Sequence, residues 1–145
     1  MQQNLLSYYD MSLALPEQLF EKAIAANASD VHVAVGVPLI FRIDGVLTPQ
    51  NSDPVTEGDA AEFIRAVLTS NEYKKFEAER EVDVSFGLKS GVRLRINCHF
   101  ERDNPGLVAR VIPSVVPTLE QTGLTDVAPK FLQYREGLVL FTGPT

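Results

Sequence analysis

The chain has 145 residues, a net charge of −6 at neutral pH and one cysteine, Cys98. This length suits a single domain with a hydrophobic core, and the acidic balance argues against nucleic-acid backbone binding as the main role. One cysteine excludes an intrachain disulfide, which fits a reducing compartment. Residues 1–14 lack the pattern of a secretory signal, and no stretch reaches the ~18 apolar residues that cross a membrane. We therefore expect no direct membrane insertion.

Helix and strand patterns alternate in the first part of the chain. A proline at the start and apolar residues at helical spacing predict a helix over residues 16–27. Period-two alternation predicts a strand that begins at Asp30 and a second strand over residues 39–43. The dipeptide Asp44-Gly45 predicts a hairpin turn into a short return strand.

The middle of the chain carries two helix patterns. Thr56 followed by Asp59 predicts a capped helix, and Ser70 begins a shorter one. The buried stripe of the first of these helices contains Ala60, Phe63, Ile64, Val67 and Leu68. A further strand is predicted from Val82 onward, because apolar residues alternate there with acidic or polar ones.

The longest predicted strand, residues 92–100, separates apolar from polar side chains. One face carries Leu94, Ile96 and Cys98, and the other carries Arg93, Arg95, Asn97 and His99. The segment Asn104-Pro105-Gly106 predicts a turn into a strand over residues 107–112 that contains Arg110. Since Cys98 and His99 point to opposite faces, and the chain has two histidines, we predict no metal site.

The C-terminal part of the chain changes character. Pro113 and Pro117 predict a stiff connector, and residues 138–141 form an uninterrupted apolar run, which is typical of a strand buried on both faces of a parallel sheet. We therefore predict two domains. Residues 1–136 form an α+β domain with a mostly antiparallel sheet flanked by helices, and residues 137–145 begin a second domain.

Five segments of the chain resemble, in order, the motifs of one ATPase family. They are Ala28-Ser29-Asp30-Val31-His32-Val33, Arg42-Ile43-Asp44-Gly45, Arg93-Leu94-Arg95-Ile96-Asn97, Arg110-Val111-Ile112-Pro113 and residues 137–145. They are similar to A-S-D-[LI]-H-[LI], R-[VI]-D-G, R-[FL]-R-[VI]-N, R-x-I-P and the G-L-[VI]-L-[VF]-T-G-P-T lead into a phosphate-binding loop. Over about residues 16–145, the chain thus resembles the type IV pilus retraction (PilT-like) family within the type II/IV secretion ATPase superfamily.

Two features help to place the chain within that superfamily, and one segment departs from the pattern of the branch that they favour. Pilus assembly and type II secretion ATPases tend to read H-[IV]-E-P from the histidine onward, whereas His32-Val33 is followed here by Ala34-Val35. The chain also reaches its first helix almost at once, as retraction-type members do. Where those members read N-A-F, Asn97-Cys98-His99-Phe100 is one residue longer. The resemblance favours the retraction branch, with pilus assembly or type II secretion as the alternative.

The resemblance implies a PAS-like N-terminal domain followed by the first strand of a RecA-like ATPase domain. Members of this family are homo-hexamers that bind ATP and Mg²⁺ at the junction of these two domains, where the N-terminal domain supplies arginines to the phosphates. Arg95 and Arg110 match those positions, and Gly143, Pro144 and Thr145 match the start of the phosphate-binding loop. The Walker lysine and the catalytic glutamate would lie beyond residue 145, so we expect neither ATP hydrolysis nor a bound cofactor from residues 1–145 alone.

The implied function is that of a cytoplasmic motor, peripheral to the inner membrane, that powers pilus retraction and twitching motility through an inner-membrane platform protein. The residues themselves leave alternatives open. Arginines on an exposed strand face are usually solvated or paired with carboxylates on a neighbouring strand. Spacing alone allows Asp30 and His32 to form a catalytic dyad, although such pairs more commonly belong to a structural polar network. A free-standing PAS-like sensor is a further alternative, and it would need an enclosed apolar pocket.

Overall fold

The computed structural model describes residues 15–113 and 115–143. Its backbone divides into two compact units, one on each side of residue 114. Among residues 15–113 there are three helices and six strands. These are α1 (Pro16–Ala25), β1 (Ala28–Val33), β2 (Ile40–Ile43), β3 (Val46–Pro49), α2 (Glu57–Val67), α3 (Ser70–Glu79), β4 (Glu81–Gly87), β5 (Arg93–Glu101) and β6 (Asn104–Ile112).

The six strands form one antiparallel sheet in the order β3-β2-β1-β6-β5-β4. Most strands pair with a neighbour in the chain, but β1 also pairs with β6, the last strand of the unit. This long-range pairing joins the first three strands to the last three and places β1 and β6 at the centre of the sheet. The prediction of an α+β domain with a mostly antiparallel sheet flanked by helices is confirmed.

All three helices of this unit pack on one face of the sheet. Phe20 of α1 lies edge-on to Phe63 of α2 and Phe86 of β4, with ring centroids 5.9 and 5.6 Å apart. Phe76 of α3 stacks on Phe100 of β5 at 4.7 Å. The predicted stripe of α2 and the predicted apolar face of β5 are buried in the same core. The apolar side chains of the sheet are buried on this side, against the helices. The opposite face carries polar side chains, and we call it the open face.

Local sequence signals begin the helices and close the first hairpin. Thr56 and Asp59 form the predicted capping box at the start of α2, and Thr69 begins α3 with a second box of the same kind. Asp44 and Gly45 have φ angles of 48° and 81°, the left-handed conformation that a type I′ hairpin turn requires at both central positions. The predictions at Thr56 and at Asp44-Gly45 are therefore confirmed.

The turn between β5 and β6 lies earlier than predicted. Asn104-Pro105-Gly106 belongs to β6, and Arg102 and Asp103 make the turn, with φ angles of 49° and 66°. Pro105 is compatible with β6 because β1 pairs with that strand only from Leu107 onward, so the missing N–H removes no bond to β1. The prediction was wrong because it assigned the turn to the proline and glycine. It overlooked Asp103, since aspartate also tolerates the left-handed region.

The second unit contains two short helices, α4 (Leu119–Thr122) and α5 (Ala128–Phe131). The strand predicted at residues 137–142 is not formed, and Leu138 and Phe141 are 81% and 71% exposed. A strand buried on both faces needs neighbouring strands to satisfy its backbone and other elements, usually helices, to cover its side chains, and no described residue pairs with this segment. The predicted domain boundary at residue 136 stays a prediction. Nowhere in the described ranges is a helix long and apolar enough to span a membrane.

Candidate functional site

A row of charged side chains crosses the open face of the sheet. Arg42 of β2 pairs with Asp30 of β1, Asp30 pairs with Arg110 of β6, and Arg110 pairs with Arg95 of β5. Because side chains alternate between the faces of a strand, all four lie on the face opposite the helices. The sheet register thus aligns three arginines, from three different strands, with one carboxylate.

Two of these arginines are direct cross-strand partners, Arg95 and Arg110. Like charges in this position are destabilising unless each finds a counter-ion. Both oxygens of Asp83 accept hydrogen bonds from Arg95, at 3.2 Å from Nε and 3.4 Å from Nη2. Asp30 accepts a hydrogen bond from Arg110 Nε at 2.8 Å. The two arginine side chains nevertheless remain 70% and 69% exposed, so their guanidinium groups are accessible to a ligand.

A groove of about 260 Å³ lies at this arginine pair. Its lining residues are Asp30, Asp83, Arg95, Asn97, Val108 and Arg110. Pockets for drug-sized ligands span about 300–1,000 Å³, so the groove suits a phosphate group better than a whole nucleotide. Guanidinium is always charged and binds phosphate oxygens through two parallel hydrogen bonds. The arrangement can therefore hold an anion that takes the place of the two carboxylates.

Asp30 is the buried member of the site, with 3% of the residue exposed. Besides the bond from Arg110, its Oδ2 atom accepts one from Ser29 Oγ at 2.9 Å, and Arg42 Nε lies 3.3 Å from the same oxygen. Burial raises the pKa of the Asp30 carboxyl, but the hydrogen bonds from Arg110 and Ser29 and the charges of Arg110 and Arg42 outweigh burial and hold the pKa below its ordinary value. Asp30 is therefore a buried, ionised carboxylate with two cationic partners.

His32 lies on the same face but has no part in that network. Its Nε2 atom is buried and lacks a hydrogen-bond partner among the described residues. Burial lowers the pKa of His32, and the charges of Arg42, Arg110 and His99 lower it further against the opposing charge of Asp30. The fold thus favours a neutral imidazole. This geometry argues against a catalytic dyad. The structural alternative fits Asp30, which belongs to a polar network, but His32 stands outside that network.

The cysteine is buried in a setting that disfavours its thiolate form. Cys98 is buried, and burial raises the pKa of its thiol to about 12, with the charges of Glu72 and Asp83 adding to the shift. His99 lies on the opposite face of β5, where its Nδ1 atom is 3.1 Å from Asn97 Oδ1. Within residues 15–113 and 115–143, no cluster of His, Cys, Asp or Glu residues could hold a metal ion.

The structure unites some of the predicted site residues and leaves others apart. Arg95 and Arg110 line one groove, and each is also paired with a carboxylate, as the surface ion-pair alternative expects. Gly143 is exposed in the second unit. Pro144 and Thr145 lie outside the described residues, so their assignment to a phosphate-binding loop stays a prediction.

Sequence reasoning assigned no role to three residues at this site. Asp83 and Asn97 line the groove, and Arg42 reaches Asp30 from the other side. The polar alternation of β4 was a usable signal for Asp83, since it places that carboxylate on the same face as the arginines if the two strands form a hairpin. Arg42 meets Asp30 through the pairing of β1 with β2, but its relation to Arg110 depends on the pairing of β1 with β6, which the sequence does not reveal.

Curated relatives share sequence with most of the chain. The type IV pilus retraction ATPase PilT of Pseudomonas aeruginosa is 35% identical over 119 residues, which are 82% of this chain and 35% of that protein. The type IV pilus ATPase PilU of the same organism is 26% identical over 89% of this chain and 34% of its own length. A twitching motility protein of Neisseria gonorrhoeae is 30% identical over 84% of this chain and 32% of its own length. The chain thus spans about a third of the length of these relatives.

Solved structures have a similar fold. A crystal structure of the pilus retraction motor PilT with bound ADP matches 94% of this chain and 39% of that one, with a TM-score of 0.72 and 27% identity. The ATPase DotB of Legionella pneumophila matches 92% of this chain and 39% of its own, with a TM-score of 0.71 and 19% identity, a likeness of fold alone. No family model matches the chain. Taken together, these similarities show that the chain belongs to the PilT- and PilU-like family of type II/IV secretion ATPases and represents the N-terminal region of such a protein.

Proposed function

We propose that this chain is the N-terminal part of a hexameric, cytoplasmic motor ATPase that powers type IV pilus retraction, and that Arg95 and Arg110 bind the phosphates of ATP. The similarity to the Pseudomonas aeruginosa retraction ATPase and to a retraction motor with bound ADP supports this proposal. Service of a pilus assembly or secretion system is the alternative within the family.

The single observation that carries the proposal is the pair formed by Arg95 and Arg110. Two like charges directly opposite each other on neighbouring strands repel each other, and their placement together at one groove favours a role in binding. Because both side chains are largely exposed, they can turn from Asp83 and Asp30 to a ligand by side-chain rotation alone. A phosphate group carries more acceptor oxygens and more negative charge than a carboxylate, which makes it the stronger partner for guanidinium.

The chemistry that we assign to these arginines is electrostatic. In phosphoryl transfer, charge is spread over the equatorial oxygens of the transferred group, and a guanidinium contributed by a moving domain can stabilise that charge. When the γ-phosphate has left, Asp30 and Asp83 are positioned to form ion pairs with the two arginines again. The exchange between carboxylate and phosphate would couple hydrolysis to the position of this domain.

The remaining parts of the proposal concern the protein as a whole. The first unit corresponds to a PAS-like domain, and residues 137–145 to the first strand and the start of the phosphate-binding loop of a RecA-like domain. The exposed apolar run at residues 138–141 supports this, since such a run is typical of a strand that is buried within a parallel sheet. We assign Mg²⁺ binding and ATP hydrolysis to the RecA-like domain, and contact with the membrane to an inner-membrane platform protein.

The test compares steady-state ATPase rates and ATP affinities of full-length wild type, Arg95→Ala and Arg110→Ala. Size-exclusion chromatography checks that each variant forms the same oligomer. We expect turnover to fall on the order of 10³-fold in each variant, which is the lower range for an arginine that contacts a transferring phosphoryl group. ATP affinity should fall as well, because each arginine also contributes to ground-state binding.

Arg93→Ala is the matched control for this experiment. Arg93 lies on the same strand and the same face as Arg95, but it hydrogen-bonds Ser85 at 3.0 Å and does not line the groove. We expect near wild-type turnover from this variant. Unchanged turnover in both site variants, or an equal loss of turnover in the control, would show that Arg95 and Arg110 act only as surface ion pairs.

A further inference from the structure

The two carboxylates at the groove differ in burial, and this affects what happens when a ligand binds. The side chain of Asp83 is 48% exposed, whereas that of Asp30 is 5% exposed. If Arg95 turns towards a phosphate, water can solvate Asp83. If Arg110 turns away, Asp30 has little access to water, and an unpaired buried carboxylate is far more costly than an exposed one. Asp30 therefore needs a second cation that stays in place.

Arg42 has the geometry of that second cation. Its Nε atom lies 3.3 Å from Asp30 Oδ2, and its Nη1 atom donates a hydrogen bond to the backbone oxygen of Gly45 at 3.0 Å. The second bond fixes the guanidinium to the turn of its own hairpin. The side chain of Arg42 is 35% exposed, about half as much as the 69% of Arg110. Of the two arginines on Asp30, Arg110 is thus the more exposed, and Arg42 is the one held by a second hydrogen bond.

We propose that Arg42 is a positioning residue, which neutralises Asp30 while Arg110 binds phosphate and so sets the phosphate affinity of Arg110 without contacting the ligand. This inference rests on the proposed function of Arg110. In the absence of the Arg42 charge, Asp30 keeps Arg110 as its one cationic partner among the described contacts. Drawing Arg110 towards a phosphate then leaves a buried negative charge unpaired, and binding weakens although every residue that lines the groove is unchanged.

A double-mutant cycle on the full-length protein tests this role. The affinity for a non-hydrolysable ATP analogue is measured by calorimetry for wild type, Arg42→Met, Asp30→Asn and the double variant, together with the unfolding free energy of each. We expect Arg42→Met to bind about tenfold more weakly, the worth of about one charge-assisted hydrogen bond. Asp30→Asn removes the charge that retains Arg110, so the double variant should bind within about twofold of Asp30→Asn alone. Arg42→Lys keeps the charge and should restore most of the affinity.

The rescue by Asp30→Asn separates positioning from a merely structural role. If Arg42 only stabilises its hairpin, the loss in Arg42→Met persists or grows in the double variant. That outcome, or an unchanged affinity in Arg42→Met, overturns the inference. Arg110→Ala, measured in parallel, distinguishes this failure from failure of the proposed function. If Arg110→Ala leaves the affinity unchanged, Arg110 does not bind phosphate and the proposed function fails. If Arg110→Ala weakens binding but the effects of Arg42→Met and Asp30→Asn are additive, only the role of Arg42 fails.

Discussion

The two faces of the sheet are built by different physical rules. On β5, Leu94, Ile96 and Cys98 are buried against the helices, while the intervening Arg93 and Arg95 are exposed on the open face. The apolar face gains free energy of folding from area removed from water. The open face carries mixed charges that are mostly solvated, and exposed ion pairs add little to stability. Residues on the open face contribute little to the stability of the fold, so they are free to serve binding. The like-charge pair of Arg95 and Arg110 lies on that face.

The largest expected effect comes from the buried face. Ile96→Ala removes a side chain at the centre of the core and should destabilise the fold by about 2–5 kcal/mol through lost burial and the cavity left behind. Urea denaturation followed by circular dichroism measures this loss, with Arg93→Ala on the same strand as the exposed control. A loss below about 1 kcal/mol for Ile96→Ala would mean that the two faces differ less than their burial indicates.

Asp30 is where the open face does contribute to stability. Asp30→Asn weakens charge-assisted hydrogen bonds within a buried network, and we expect a loss of about 1–3 kcal/mol at neutral pH. The folded pKa of Asp30 lies below its ordinary value of 3.8. The stabilisation is therefore complete above pH 3.8 and is lost as the pH falls through the lower, folded pKa. Denaturation curves of both proteins along a series of acidic buffers measure this. A difference between them that does not shrink in acid would contradict the ionised network.

Short-range features of the fold were accessible from the sequence, and long-range ones were not. The capping box at Thr56 and the turn at Asp44-Gly45 depend on residues close in the chain, so local propensities indicate them. The pairing of β1 with β6 joins residues some 80 positions apart, as between Asp30 and Arg110, and no local pattern encodes it. The run at residues 138–141 shows the opposite limit. Its apolar pattern indicates a buried strand, but the structure forms no strand there and leaves Leu138, Leu140 and Phe141 largely exposed.

The candidate site follows the same division. The resemblance to family motifs predicted a site role for Arg95 and Arg110, and the alternation of β5 predicted that the side chain of Arg95 lies on the polar face. Their direct opposition across two strands, and the attachment of each to a carboxylate, depend on sheet register and could not be predicted. Burial of Asp30 was equally hidden, because aspartate is mostly exposed in folded proteins and its arginine partners lie on other strands.

A smaller effect is expected from His32, a partly buried group on the open face. Burial lowers its pKa first, and the charges of Arg42, Arg110 and His99 lower it further, against the charge of Asp30. The unfolded chain takes up a proton near the ordinary value of 6.5, while the folded chain resists protonation. Wild type should therefore lose stability as the pH falls from about 6.5 towards the folded pKa, and His32→Leu should lose less.

Unfolding free energies of wild type and His32→Leu at about pH 7.5 and pH 5.5 measure this difference, which spans the ordinary histidine pKa. Contributions of other titrating groups are common to both proteins and cancel in the comparison. Equal pH dependence in the two proteins would show that His32 is solvated in the folded state.

The smallest expected effect is the change in stability on Arg95→Ala, and its sign is informative. The variant loses an exposed pair with Asp83, which is screened by water and salt. It also loses the repulsion from Arg110 directly opposite. Since these contributions have opposite signs, we expect the unfolding free energy in the urea assay to change by no more than about 0.5 kcal/mol. A loss above about 1 kcal/mol would make Arg95 part of a stabilising network, and the like-charge pair would then need no ligand to explain it. A gain would mean that the fold retains two facing arginines at a cost to its own stability, which is expected of residues kept for binding.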